Sequence, residues 1–413
     1  MKKLLWVVLL FCSAYAFAQK NRNQILITNT SFIDVKTGRV YAPSNVYIKN
    51  GVAQITNKKI NNNIPLQQII GTGTFFMPAL QDMHVHFPKQ NAERFFKLQS
   101  AAGIANCRIM KSNDNTVAFF KNAAISNTAV YLPIAKISYN FFGNETYSID
   151  SIANVIKTLT KNGYHFIKIF GVKNEAQFDA IMVSAKANNI MVCGHAISNV
   201  SAKKVLASGY RSIEHVGYFD KAKTPQALDS LLALAVQNNV FVCPTLDWVT
   251  MAYQAANKDS FAYRGGYEIG NKLYGAEWDT TYANNTKQLG EQAKQYKDFA
   301  KNDIAKKIEI LKKMRAKGIK IIAGSDAEEP YQTPGYSLID ELKLIQKAGY
   351  TNAELLQMAT TNADLFWQNT SPKSDFILLN KNPLLDIGNL LIVQYIIKSN
   401  YAISTKALLQ DIK

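Results

Sequence analysis

The sequence predicts an α/β protein: a (β/α)8 barrel of the TIM type with a small accessory β-sandwich built from both chain ends. Three observations predict it. Short apolar runs alternate with helix-period segments across residues 77–370, as in βα units around a parallel sheet. Eight such runs can be counted, which is the number a closed barrel needs. The flanking stretches, 19–76 and 371–413, have strand-like runs punctuated by turn residues instead.

The first eighteen residues read as a removable segment. Lys2 and Lys3 precede an apolar run from Leu4 to Cys12, and Ala16-Phe17-Ala18 is a small-x-small cleavage site. The apolar run is short for a bilayer span, so residues 1–18 are expected to be a secretory signal peptide. Cleavage near Ala18 would leave a periplasmic or secreted protein with no stable membrane anchor.

Residues 24–76 then carry β runs such as Ile25-Leu26-Ile27-Thr28 and Asn45-Val46-Tyr47-Ile48, with Asn50-Gly51 as a hairpin turn. The barrel strands are expected at 77–86, 104–110, 130–137, 166–170, 190–195, 212–215, 240–245 and 319–326. Between them, Phe178, Ile181, Met182 and Ala185 fall on one helical face, as do Leu228, Leu231, Leu232 and Ala235 behind Thr224 and Pro225. Thr351-Asn352-Ala353-Glu354 is a capping box. Residues 247–303 form an unusually long, aromatic-rich insertion after strand seven. It reads equally as a helical cap with inward aromatics or as a lid over a pocket. A doubly wound open sheet is the alternative fold, but no G-x-G-x-x-G follows the first strand.

Composition narrows the class. Of 413 residues 47% are hydrophobic, with no low-complexity tract, so the chain is globular. The formal charge of +17 comes from lysines scattered along helix faces, without the aromatic-interleaved basic run of a nucleic-acid binder. No nucleic-acid partner is expected. Cys107, Cys193 and Cys243 lie in apolar runs and form no Cys-x-x-Cys pair, which predicts buried thiols rather than disulfides or a zinc knuckle. A homo-oligomer is left open.

The chemistry gathers at strand ends. His84 and His86 stand at i and i+2, so both imidazoles can face one point. Lys168 lies near the end of strand four, and His195, His215 and Asp326 end strands five, six and eight. Each alone is ordinary, since buried histidines and post-strand aspartates are common. Together they place four of the five histidines at the carboxyl rim, where barrel chemistry resides. His165 falls at the opposite rim and reads as structural.

This order of His-x-His, Lys, His, His and Asp resembles the metal-dependent amidohydrolase superfamily, over nearly the whole chain beyond residue 18. The opening motif is similar to Phe76-Met77-Pro78-Ala79-Leu80-Gln81-Asp82-Met83-His84-Val85-His86, with Ala79 and Gln81 replacing the usual Gly and apolar residue. Ala323-Gly324-Ser325-Asp326-Ala327, Ala359-Thr360-Thr361-Asn362-Ala363 and Asn382-Pro383-Leu384 resemble later motifs. The imidazolonepropionase-like and Xaa-Pro-dipeptidase-like branch is the most similar. The resemblance implies two divalent metals, zinc by default, held by His84, His86, Lys168, His195, His215 and Asp326. Lys168 would be N6-carboxylated and bridge the ions. Burial among Ile167, Ile169 and Phe170 favours the neutral amine that reacts with carbon dioxide. Asp326 would be the catalytic proton carrier in hydrolysis of an amide, peptide or cyclic-amide C–N bond by metal-activated water, most simply a dipeptidase-like reaction on a small molecule. Arg108, Tyr139, Arg264 and Tyr267 are the candidate substrate contacts. A mononuclear deaminase of the same fold, with Lys168 unmodified, is the alternative, and a non-catalytic metal-binding barrel is a third. Two departures stand out. The C-terminal β segment is short, and Glu328-Glu329-Pro330 follows Ala327 where a glycine is common.

Overall fold

The computed structural model describes residues 24–56, 66–126, 128–143, 147–253, 258–371 and 374–412. The expected signal peptide, 1–18, lies outside the described residues. No helix among the described residues is long and apolar enough to cross a membrane.

Both chain ends build one accessory sheet. Its spine is Tyr401–Ser404, Val393–Lys398, Asp375–Leu379, Phe75–Pro78, Gln24–Asp34, Ser44–Lys49 and Val52–Thr56, in that order. Gln67–Ile70 and Arg39–Val40 pair with Gln24–Asp34 off this path. The sandwich expected here is therefore one continuous hydrogen-bonded sheet. Gln24–Asp34 serves both halves because its register shifts between Ile27 and Thr30, where Asn29 takes φ +55°. Ile25, Ile27, Val46, Ile48, Phe76, Phe376, Leu378 and Ile397 fill the fold between the halves. The Asn50-Gly51 hairpin forms as expected.

The chain passes from this sheet directly into the barrel. The expected first strand divides: Phe75–Pro78 pairs with Asp375–Leu379, and only Leu80–His86 enters the barrel. Seven parallel strands follow in chain order: Leu80–His86, Ile104–Lys111, Ile134–Phe141, Phe166–Ile169, Met191–Gly194, Ser212–Glu214 and Phe241–Cys243. The third lies later than expected. Ala129–Tyr131 is a 3-10 turn, and Pro133, which has no N–H to give a ladder, holds the strand start at Ile134.

The expected eighth strand closes the ring without becoming a regular strand. Ile322 N donates to Val242 O on one side (3.0 Å), and Met83 N to Ala323 O on the other (2.9 Å). A single ladder bridge, Val242 to Ile321, is all that survives of a strand pairing. The backbone at Gly324 runs so close to Leu80–His86 that a Cβ there would lie 2.5 Å from the His84 Cβ.

The outer helices form where the periodicity put them. Glu175–Ala187 buries Phe178, Ile181 and Ala185, and Pro225–Gln237 buries Leu228, Leu232 and Ala235 behind a Thr224 cap. Thr351 and Glu354 form the expected capping box. Cys107, Cys193 and Cys243 are all buried and free. The insertion is helical, with Leu246–Ala252, Tyr267–Leu289 and Ala293–Lys317 as its main pieces. Phe261, Trp278 and Tyr331 form its buried core with Tyr267, Tyr274 and Tyr282 around them, so most of its aromatics face inward.

Candidate metal centre

His84, His86, Lys168, His195, His215 and Asp326 meet at the carboxyl rim. His84 and Lys168 are completely buried, with His84 Nε2 3.3 Å from Lys168 Nζ and 3.6 Å from Asp326 Oδ1. His86 Nε2 lies 3.3 Å from the same Asp326 oxygen. The other two histidines face each other, His215 Nε2 to His195 Nε2 at 3.1 Å. His215 reaches the mouth because the backbone leaves strand geometry there, at φ +61°, as it does at Thr245 and Asp326 (both +49°). Left-handed conformations at non-glycine residues are costly and concentrate at functional sites.

The hydrogen bonds behind the rings decide what the site offers. His84 Nδ1 donates to Glu214 Oε2 at 2.8 Å, and His86 Nδ1 to Glu328 Oε2 at 2.7 Å. A carboxylate only accepts, so each ring carries its proton on Nδ1 and turns an Nε2 lone pair inward. Burial, reinforced by the Lys168 charge, lowers His195 to about 3; burial likewise holds His84 and His215 well below the usual imidazole range. All three are neutral near pH 7. Burial also lowers Lys168, against the pull of Glu214 and Asp326, and its Nζ sits 4.4 Å from the Phe170 ring centre. Burial raises Asp326 to about 6, and Glu329 in the adjoining loop to about 7.

This donor set fits divalent cations. His86 Nε2 and Asp326 Oδ1 are buried without a hydrogen-bond partner, although they point at one another's position. Two acceptors side by side with no proton between them cost free energy unless a cation joins them. Two groups, His84–His215–Asp326 and His86–Asp326–Glu328, each bring three ligand atoms within 4.8 Å of one another. They share Asp326.

Behind the centre lies a fully buried ion pair that the sequence did not reveal. Arg108 Nη2 donates to both Glu214 oxygens (3.0 and 2.8 Å), and its Nη1 to Ser212 Oγ at 2.9 Å. Arg108 lies within Ile104–Lys111, and its guanidinium braces Glu214. Tyr139, likewise inside its strand, packs among Phe141 and Tyr164 with its hydroxyl near that of Tyr147. Arg264 is taken by Asp247 (2.6 Å) and Asp340 (3.4 Å), where it clamps the insertion to the barrel. Tyr267 belongs to the insertion's aromatic core. All four of these side chains are engaged within the protein. His165 sits at the other rim, its Nδ1 accepting from Ile137 N, as a structural residue would. Glu214, Glu328 and Thr245 were missed. The period-two pair Ser212 and Glu214 was the one legible signal, a carboxylate inside a barrel strand.

A cavity of about 780 Å3 opens at this rim. Its walls include His86, Lys111, Glu328 and Glu329, with Glu277 and Trp278 from the insertion.

The fold and this rim define the class. Residues 75–366 match the profile of the amidohydrolase family, and the chain belongs to that family, hydrolases that act on carbon–nitrogen bonds. No curated protein sequence matches the chain. Its fold is similar to that of a candidate prolidase from Bifidobacterium longum (17% identity, TM-score 0.71, 95% of this chain and 99% of that one). It is similar also to a Xaa-Pro dipeptidase crystallised with methionine in its active site (18%, 0.67, 92% and 100%). An A. niger ochratoxinase is a third (13%, 0.66, 95% and 98%).

Proposed function

We propose that this chain is an exported binuclear amidohydrolase that hydrolyses a peptide or amide C–N bond, with a dipeptidase-like activity as the leading case. The observation that carries the reading is the pair of partnerless, buried acceptors, His86 Nε2 and Asp326 Oδ1, beside a buried lysine. The prolidase and Xaa-Pro dipeptidase among its structural relatives support the substrate class.

In this reading His84, His86 and Asp326 would hold one cation and His195 and His215 the other. Lys168 would add two further oxygen ligands as a carbamate, formed when its neutral amine adds carbon dioxide and loses a proton. Zinc suits so nitrogen-rich a donor set. Bound cations would polarise the scissile carbonyl and lower the pKa of water to about 7. The protein's own part is arrangement and proton transfer. Glu214 and Glu328 keep the His84 and His86 lone pairs aimed inward. Asp326 accepts a proton from water and returns it to the leaving amine.

Metal-free protein reconstituted with zinc and bicarbonate should take up two equivalents of metal, measured by plasma mass spectrometry, and show one carbamate carbon by 13C NMR. Pooled dipeptides should yield free amino acids without ammonia. Asp326→Asn should lower kcat by about a thousandfold. One metal equivalent with ammonia release would replace this reading by a mononuclear deaminase.

A further inference from the structure

His86 differs from His84 in what stands behind its ring, and the inference drawn from that difference rests on the metal-centre reading above. Glu214, behind His84, belongs to a barrel strand. Glu328, behind His86, belongs to the irregular loop 327–336, and its side chain is 37% exposed. An exposed carboxylate gives up rotamer freedom when it holds a ring in one orientation, and a loose backbone adds to that cost. The 2.7 Å bond from His86 Nδ1 to Glu328 Oε2 therefore depends on what fixes the loop.

One buried side chain does so. Gln332 is 3% exposed, and its Oε1 accepts from the backbone N–H groups of Glu328 (3.2 Å) and Glu329 (3.0 Å). Its Nε2 donates to Asp247 Oδ2 at 2.8 Å, the oxygen that also receives Arg264 Nη2 at 2.6 Å. The amide is thus engaged at both ends, accepting on the side of the metal centre and donating on the side of the insertion. Its two neighbours are fastened in the same direction. Tyr331 stacks on Phe261 with ring centres 4.1 Å apart and donates its hydroxyl proton to Asp279 Oδ1 at 2.5 Å. The Tyr331 carbonyl accepts from Arg264 Nε at 2.9 Å, and Thr333 Oγ1 donates to Gly266 O at 3.1 Å. Three consecutive loop residues are therefore tied to the insertion, which serves as the mount for the loop that carries Glu328.

We propose that Gln332 is a positioning residue of the metal centre. Anchored on the insertion through Asp247 and Arg264, it fixes the Glu328 backbone, and through the Glu328 carboxylate it sets the tautomer and direction of the His86 ring.

The first test uses metal-free protein. Long-range 15N–1H NMR of the imidazoles should show His86 with its proton on Nδ1, and with five histidines in the chain single substitutions suffice to assign the rings. Gln332→Met should populate the Nε2–H form of His86 and leave His84, whose partner is Glu214, unchanged. In wild type the Glu328 and Glu329 amides should exchange with solvent about tenfold or more slower than in an unstructured peptide. Unprotected amides there would overturn the inference even if Gln332→Met does not fold. Zinc titration then completes a double-mutant cycle. Gln332→Met and Glu328→Ala should each lower zinc affinity by about tenfold. The double variant should lose no more than Glu328→Ala alone, because the amide acts through that carboxylate. Losses that multiply, or an unchanged His86 tautomer in Gln332→Met, would overturn the inference. Failure of the wild type to bind zinc would instead sink the metal-centre reading, while the tautomer and exchange measurements still decide the role of Gln332.

Discussion

The centre has two halves that are held in different ways. On the deep side, His84 is wholly buried and its Nδ1 rests on Glu214, which is itself gripped by Arg108 and Ser212. On the shallow side, the His215 side chain is 23% exposed and its Nδ1 hydrogen-bonds the Thr245 hydroxyl at 2.6 Å, with Asp326 Oδ2 farther off at 3.7 Å. The deep ring is oriented by charge in a low-dielectric interior, the shallow ring by a neutral hydrogen bond and a left-handed backbone. The deep half is therefore finished when the barrel closes. The shallow half depends on loops that leave the strands at the rim.

The largest expected effect follows from the deep half. Glu214→Gln leaves Arg108 as a buried cation without its carboxylate, which costs about 3–5 kcal/mol. Urea unfolding of the metal-free protein measures it. Replacing both partners, Arg108→Met with Glu214→Met, should recover most of that loss, because an apolar pair has no charge to desolvate. A single-variant cost below about 1 kcal/mol would break the distinction between the halves, since exposed pairs are worth that much.

The next effect is one of pH, and it belongs to the shallow side. His195 is lowered from 6.5 to about 3 by burial and by Lys168, so between those values the unfolded chain binds a proton that the folded chain refuses. Stability of the metal-free protein from this residue therefore falls as pH drops below 6.5, by up to about 1.4 kcal/mol per unit. His195→Gln removes that slope. Unfolding measured at pH 7.5, 6.5 and 5.5 should show the variant gaining on wild type as the pH falls. A constant difference across the series would mean that His195 titrates normally in the folded state.

How much of this was legible in the sequence divides along the same line. The alternation of strands and helices, the caps at Thr224 and Thr351, and the convergence of four histidines, Lys168 and Asp326 on one rim follow from local pattern and barrel topology. Residues inside a closed barrel show no polar-out alternation, so nothing local marks Arg108 as an interior brace or Tyr139 as a packed ring. Arg264 read as an available cation because the convergence of Asp247 and Asp340 on it is made only by tertiary folding. The eighth strand was read from an apolar run. The close approach at Gly324 keeps its hydrogen bonds but not its ladder.

The smallest effect sharpens the comparison from the shallow side. Thr245 is buried at φ +49°, and Thr245→Val keeps both its volume and its branching at Cβ while removing the hydroxyl. Even a fully buried ring nitrogen that loses its partner costs about 1–3 kcal/mol when nothing replaces it. Here the Asp326 carboxylate stands 3.7 Å from the same nitrogen, and a small ring rotation brings it into range, so the cost should lie near the lower end. Metal affinity should still fall by about tenfold, because an outer partner fixes the orientation of a ligating imidazole. If zinc titration of Thr245→Val instead matches the loss produced by Glu214→Gln, the hydroxyl holds its ring as firmly as the buried carboxylate does. The shallow half would then be as preorganised as the deep one, despite its exposure.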